Sequence, residues 1–326
     1  MAVSWLIPVR DGRPWVAQCL DAVLLASGPD DQVVVVDDGS QDSPKAACPK
    51  DGRITWLEQG PLGIAAALET GRRECIHPYI ARMDIDDLTL PGRVEVQTAI
   101  LDDCPNVAVV GGRAEIFRED GVSNEGMRRY VDWVNGLENL HAALLVESPI
   151  FHPAVMMRAE SIAAVGGYRA GDFPEDYDLW LRLVQAGFKL AAVPNTVVRI
   201  RDRPGRLTRT DARYRMAAFE GLKRDWLQAN VLKKTRRVVV WGAGKSGRRW
   251  LRWLLAEGYD VVAVIDDFVG TERQGIPVFR PSALSSLELE CLFVAVGARG
   301  ARSTIRGQLH GLRPDLIEGV NWWALA

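Results

Sequence analysis

The chain has 326 residues, 48% hydrophobic and 25% charged, which is globular composition at a length of about two domains and excludes disordered, collagen-like and coiled-coil readings. Lys+Arg number 40 and Asp+Glu 42, a formal net charge of -2, so there is no chain-wide basic surface for nucleic acid. Five scattered cysteines (Cys19, Cys48, Cys75, Cys104, Cys291) form no CxxC pair, which argues against a disulfide framework or zinc site and for a reducing cytoplasm.

The apolar start MAVSWLIPV ends at Arg10 without a basic n-region or cleavage site, so no signal peptide is expected. No apolar stretch approaches the roughly 20 residues of a membrane helix. A soluble, cytoplasmic protein is expected, with peripheral contact at the inner face of the membrane left open.

The first strand is Val3 to Val9. Val16, Cys19, Leu20, Val23 and Leu24 then recur with helical spacing. Val33 to Val36 is an unbroken β-branched run, as suits a strand buried on both faces of a parallel sheet, and it stops at Asp37-Asp38-Gly39-Ser40. A strand at Ile54 to Leu57, a helix at Ile64 to Glu74 and a strand at Tyr79 to Met83 follow, the last running into Asp84-Ile85-Asp86-Asp87. A helix is expected from about Pro91, a strand at Val107 to Val110, and a helix near 133–145 inside a less periodic stretch, 118–150. Asp176 to Ala186 reads as a helix closed by Gly187. Seven arginines crowd residues 199–215, and a mixed helix over about 211–232 leads to the basic linker Lys233 to Arg237. A new strand–helix–strand pattern then begins: Val238 to Val240, Arg248 to Glu257, Val261 to Ile265. The domain boundary is placed near 232, giving units 1–232 and 233–326.

In open α/β sheets ligands sit beyond the carboxyl ends of strands. Asp84-x-Asp86 at such an end offers two carboxylates to a hard cation, Mg²⁺ or Mn²⁺, which commonly bridges protein and substrate phosphates. Alone the pair is also compatible with a solvated acidic turn.

Five ordered blocks narrow this. Ser4 to Asp11, Val34 to Asp42, Ile80 to Arg93, Pro149 to Arg158 and Glu175 to Arg182 resemble the motifs of family 2 glycosyltransferases with the GT-A fold, over about residues 3–220. The resemblance implies an α/β GT-A nucleotide-diphospho-sugar transferase domain. It implies a metal-dependent, inverting, hexosyltransferase-like enzyme of cell-surface glycan or polysaccharide synthesis. The donor would be a nucleotide sugar of UDP type and the acceptor a sugar or lipid-linked glycan. By position, Asp38 would accept from the donor base with Pro8 and Arg10 lining that pocket. Asp84 would face the ribose or the metal's outer shell, Asp86 would bind the metal, and Asp176 would be the catalytic base. Glu175, His152 and Arg82 would stand behind these. Two departures stand out: Ala67-Leu68-Glu69 where relatives carry Arg or Asn, and Arg199-Ile200-Arg201 where some carry a metal-ligating "RxH".

The residues also fit the chemistry directly. Breaking a glycosyl–diphosphate bond builds charge on the leaving group, which a cation stabilises. The acceptor hydroxyl needs a base, for which a carboxylate such as Asp176, beside Glu175 at a helix start, is suited. His152 is equally compatible with packing. Most of the seven arginines read as a solvated face, with one or two left for phosphate. Trp5, Trp15, Trp56, Trp133 and Trp180 are either core or acceptor-stacking residues.

In the tail, Gly242, Gly244 and Gly247 form GxGxxG between strand and helix, with Asp266 about 20 residues on, as a nucleotide or dinucleotide site needs. At about 90 residues the unit is half a dinucleotide-binding fold. It resembles the small Rossmann-like domain preceding the hexapeptide repeats of sugar acyltransferases, but no such repeat follows. A vestigial packing module is an equal reading. The alternative for the whole chain is a non-catalytic, nucleotide-sensing regulatory protein. A nicotinamide-dependent oxidoreductase is disfavoured because the tail lacks a second half.

Overall fold

The computed structural model describes residues 2–118, 124–235, 237–267 and 271–326. Arg236 of the basic linker and part of the expected insertion over 118–150 lie outside the described residues. The fold is mixed α/β, and the chain divides into two compact units. One comprises Met1–Leu140 with Pro149–Leu222, the other His141–Ser148 with Lys223–Ala326.

In chain order the first unit runs β1 (Val3–Val9), α1 (Arg13–Ala26), β2 (Gln32–Asp38), β3 (Ile54–Gln59), α2 (Ile64–Glu74), β4 (Tyr79–Arg82), β5 (Leu88–Thr89) and α3 (Arg93–Asp103). It continues with β6 (Val107–Phe117), α4 (Glu125–Asn135), the short α5 (Leu140–Ala143) at the boundary, β7 (Met156–Arg158), α6 (Ala159–Ala164), α7 (Glu175–Gln185), β8 (Lys189–Arg201), α8 (Leu207–Thr210) and α9 (Met216–Leu227). The strands form one eight-stranded sheet in the order β3-β2-β1-β4-β7-β6-β8-β5. β1 pairs in parallel with β2 and β4, and β2 with β3. Val33 to Val36 are fully buried, as their unbroken β-branched run requires. The parallel pairing brings the carboxyl ends of β1, β2 and β4 to one edge, with Val9 opposite Asp37 and Leu6 opposite Arg82.

Three local expectations shift. The helix expected at 133–145 lies at Glu125–Asn135 instead. Asn124 caps it, its Oδ1 accepting from the amides of Gly126 at 2.8 Å and Met127 at 3.3 Å, and Gly136 ends it. The helix of 211–232 is broken: Asp211 caps a single 3₁₀ turn, Ala212–Tyr214, and α9 starts only at Met216. α3 begins two residues after Pro91, because Gly92 holds a left-handed φ of 79° between them.

The second unit holds β9 (Arg237–Trp241), α10 (Lys245–Ala256), β10 (Asp260–Ile265), β11 (Glu272–Arg273), β12 (Ile276–Phe279), β13 (Cys291–Val294), α11 (Ala301–Leu312) and β14 (Trp322–Ala324). Its sheet order is β11-β12-β10-β9-β13-β14, parallel except for the β11–β12 pair. Residues 141–148 belong to it because Val146 packs on its core and accepts from Lys223 Nζ at 2.7 Å. Among the described residues no helix is long and apolar enough to cross a membrane.

The Gly-rich turn is built for close backbone approach. Gly242 has φ of +125°, and a Cβ on Gly247 would stand 1.7 Å from the Gly242 carbonyl oxygen, whereas one on Gly244 would meet nothing within 4 Å. Gly247→Ala is therefore expected to destabilise the second unit strongly, while Gly244→Val leaves its stability within about 1 kcal/mol. Thermal or denaturant unfolding of the two variants checks the contrast.

Candidate active site

The loops after β1 and β2 are knitted together by side chains. The Asp11 amide donates to Ser40 Oγ at 2.9 Å, Asp11 Oδ1 accepts from the Gln41 amide at 2.7 Å, and Asp42 Oδ2 accepts from the Arg13 amide at 2.8 Å. Asp37 Oδ1 accepts from the Ser40 amide at 2.9 Å, closing the turn that Gly39 permits with φ of +74°. Pro8 is buried in β1, and the half-exposed Arg10 lies 3.9 Å from Asp38.

Asp38 is deeply engaged by its own chain. Its carboxylate accepts from Gln59 Nε2 and from the amides of Leu62 and Gly63, at 2.8, 2.9 and 2.9 Å. These bonds fold the 60–63 loop over the strand end. Asp38→Ala leaves three donors without their charged acceptor, and a loss of about 3 kcal/mol in denaturant unfolding is expected.

The acidic cluster follows β4. Asp84, Asp86 and Asp87 each place a carboxylate oxygen within 4.8 Å of the others. Asp87, which adjoins Asp86 in the chain, completes the set beyond the pair Asp84-x-Asp86. Such a set of hard oxygen donors fits Mg²⁺ or Mn²⁺, and among the described residues the buried Asp87 Oδ2 has no hydrogen-bond partner. Burial, with Asp86 and Asp84 close by, pushes Asp87 well above the ordinary carboxyl range against the pull of Arg206. Against desolvation, Arg82, at 2.6 Å from the Oδ1 of the partly exposed Asp84, holds that carboxyl below the range.

The arginine-rich run is not a solvated face at this end. Arg201 is 4% exposed. Its amide donates to Asp87 Oδ1 at 2.8 Å, its Nε to the Asp86 carbonyl at 2.9 Å and its Nη2 to Gln18 Oε1 at 2.6 Å. Arg203 Nε donates to Asp86 Oδ2 at 2.7 Å, and Arg206 Nη1 lies 3.6 Å from Asp87 Oδ1. Arg209 pairs with Asp202. The pairing of β8 with β5, with Leu88 opposite Arg199, carries this segment to the acidic turn, which no local signal announces.

Asp176 lies in the first turn of α7, where helix N-terminal amides favour anions. Its Oδ1 accepts from the Tyr177 amide at 2.7 Å. Burial and the neighbouring Glu175 charge raise it to about 7. Burial raises Glu175 as well, against the hydrogen bond donated to its Oε2 by Tyr214 at 2.7 Å. His152 is buried and held neutral, first by desolvation and then by Arg82. Its Nε2 lies 2.9 Å from Tyr168 Oη and its Nδ1 3.8 Å from Glu175 Oε1. Tyr168 lies in an irregular segment and Tyr214 ends the 3₁₀ turn Ala212–Tyr214, and neither has a sequence pattern that reports what it touches.

Arg82 links the two acidic groups. It is 2% exposed, its Nε and Nη1 have no partner among the described residues, and its charge acts on Asp84, Glu175 and Asp176. The departure at 67–69 is structural: Ala67 and Leu68 are core, and Glu69 binds Arg72 and Arg73 while accepting from the Tyr168 amide at 3.1 Å. Trp5 and Trp180 are fully buried core residues.

In the second unit Asp266 Oδ2 accepts from the Ala243 amide at 2.6 Å, so the acid and the Gly-rich turn do meet.

Comparison with known proteins bears on the family of the chain. The chain is 31% identical over 189 residues to the amylovoran biosynthesis glycosyltransferase AmsE of Erwinia amylovora, covering 56% of this chain and 69% of that one. It is 27% identical over 210 residues to the putative glycosyltransferase EpsE of Bacillus subtilis, covering 61% and 73%. A UDP-Gal:alpha-D-GlcNAc-diphosphoundecaprenol beta-1,3-galactosyltransferase of Escherichia coli shares 25% over 191 residues, covering 57% and 68%. Residues 234–314 match the family described as C2185-like, N-terminal. The profile of glycosyl transferase family 2 matches residues 4–166, half of the chain and the part that carries the β1, β2 and β4 strand ends. By that match and by its similarity to the Erwinia enzyme, the chain belongs to glycosyl transferase family 2.

Proposed function

We propose that the chain transfers a hexose from a nucleotide-diphosphate donor of UDP type to an acceptor hydroxyl, with inversion and with a divalent cation, in cell-surface polysaccharide synthesis. The observation that carries this reading is the convergence of the Asp84–Asp86–Asp87 cluster and the pair of buried Glu175 and partly buried Asp176 on the charge of one arginine, Arg82. The galactosyltransferase relative, named for a UDP donor and a diphosphoundecaprenol-linked acceptor, supports the donor type and a lipid-linked glycan acceptor. Such an acceptor would bring the protein to the inner face of the membrane from the cytoplasm.

Asp84, Asp86 and Asp87 would hold Mg²⁺ or Mn²⁺, which supplies charge stabilisation to a departing diphosphate. Asp38, Pro8 and Arg10 would flank the donor base at the neighbouring strand ends. Asp176 would take the acceptor's proton at Oδ2, since Oδ1 is engaged by the Tyr177 amide. The acceptor oxygen bonds to the anomeric carbon as the bond to the diphosphate breaks on the opposite side. Glu175, fixed by Tyr214, would keep Asp176 basic at neutral pH. A thermal-shift screen of UDP and GDP sugars with and without Mn²⁺, followed by assay of nucleoside diphosphate release, tests the reading. No stabilisation by any nucleotide sugar and no release would overturn it.

For the tail we propose a Rossmann-like unit with a nucleotide site at Gly242–Gly247 and Asp266. Its five parallel strands, numbered by sequence, lie in the order 3-2-1-4-5, and the turn follows the first of them, at the switch point where such sheets bind ligands. A nucleotide that stabilises the wild type and not Gly244→Val would support the site. Equal stabilisation of both would overturn it.

A further inference from the structure

Each carboxylate of the acidic cluster has a guanidinium of its own. Arg82 takes Asp84, Arg203 takes Asp86 and Arg206 faces Asp87. They are not equally held. The Arg82 and Arg206 side chains are 2% and 11% exposed, and Arg206 Nη1 also donates to the Arg201 carbonyl at 2.8 Å. Arg203 is 31% exposed and meets the cluster through Nε, at 2.7 Å from Asp86 Oδ2. Its guanidinium rests on the Trp15 ring, 4.4 Å from the centroid. Arg203 is therefore the guanidinium that can leave Asp86 at least cost, because a partly exposed pair contributes little and the Trp15 face can keep the side chain nearby.

A divalent cation arriving alone adds two charges beside arginines that already compensate the aspartates. To reach Asp86 Oδ2 it must displace Arg203, and the freed guanidinium is then repelled by the cation. A diphosphate arriving with the cation removes that conflict, since it accepts from a guanidinium in bidentate geometry. Resting on the reading of Asp86 as a cation ligand, we propose that Arg203 is a donor-binding residue that exchanges partners. It holds Asp86 before the donor arrives and moves to the donor's diphosphate when a cation takes Asp86, so that cation and nucleotide bind cooperatively.

The exchange predicts opposite effects of one substitution. Calorimetric titration of Arg203→Gln with Mn²⁺ alone should show affinity about 10-fold above wild type, because a competitor for Asp86 is gone. Titration with UDP at saturating Mn²⁺ should show affinity about 10-fold below wild type, both in the usual range of coupling between sites. Arg203→Lys should fall between. A purely structural Arg203 would weaken both affinities or neither, and either result overturns the proposal. Asp86→Asn separates the two levels. If it binds Mn²⁺ as wild type does, the cation reading fails and the proposal with it. If it loses Mn²⁺ while Arg203→Gln shows no opposed shifts, the exchange alone is wrong.

Discussion

Replacing Asp86 with alanine is expected to lower glycosyl transfer by on the order of 10³-fold or more while the protein stays folded. The loss follows from what the carboxylate would hold: removing a preorganised group that stabilises developing charge costs on the order of 10²–10³-fold for a single hydrogen-bond donor, and a cation ligand serves a larger charge. The fold should survive because the side chain is bonded to a partly exposed arginine rather than to the core. Arg203 keeps the Trp15 face and can turn to water. The Asp86 carbonyl that receives Arg201 Nε is backbone and unaffected by the substitution. The measurement is nucleoside diphosphate release with Mn²⁺, beside circular dichroism of the variant. Wild type treated with excess chelator should lose activity to a similar extent. Full activity in the variant, or in chelator-treated wild type, would remove the cation from the mechanism.

The parts of this protein that can be read from its sequence are those where one local rule decides. Val33 to Val36 can only be a strand buried on both faces, and the carboxylates after it must then lie at a sheet edge. Gly187, with φ of 88°, ends α7 as a C-terminal cap should. Asp266 meets the Gly-rich turn because a strand–turn–helix–strand unit fixes both ends of that distance. What could not be read depends on long-range pairing. The segment after β8 looks like a charge run in the sequence, yet the pairing of β8 with β5 delivers Arg201, Arg203 and Arg206 to aspartates more than a hundred residues away. Tyr168 reaches His152 from an irregular segment and Tyr214 reaches Glu175 from a single 3₁₀ turn, both too short for periodicity to report direction. Glu69 read as a departure among donor-side residues, whereas its carboxylate ties α2 to the Tyr168 backbone. The helix over 125–135 starts at the cap Asn124, in a stretch whose weak periodicity does not mark where a helix begins.

Asp176→Asn should slow transfer by roughly 10²–10⁴-fold, the contribution expected of a general base, with donor affinity nearly unchanged. The amide keeps the shape, and its Oδ1 can still accept from the Tyr177 amide. Because burial and Glu175 raise Asp176 to about 7, the wild-type rate should climb with pH through that region as the carboxyl ionises, and the variant should lack this acidic limb. The limb belongs to the pair Glu175–Asp176, so Tyr214→Phe, which removes the donor to Glu175, should move it without abolishing it. Stability should change in the opposite sense to activity. With its folded value above the ordinary 3.8, Asp176 binds more protons folded than unfolded between about pH 4 and 7, so its contribution to stability falls as pH rises across that window. Asparagine carries no such slope. The variant should therefore melt higher than wild type at pH 8 and alike near pH 4, the signature of a carboxylate kept for chemistry at the expense of the fold. Loss of donor affinity in the variant with a normal residual rate would instead make Asp176 a binding residue.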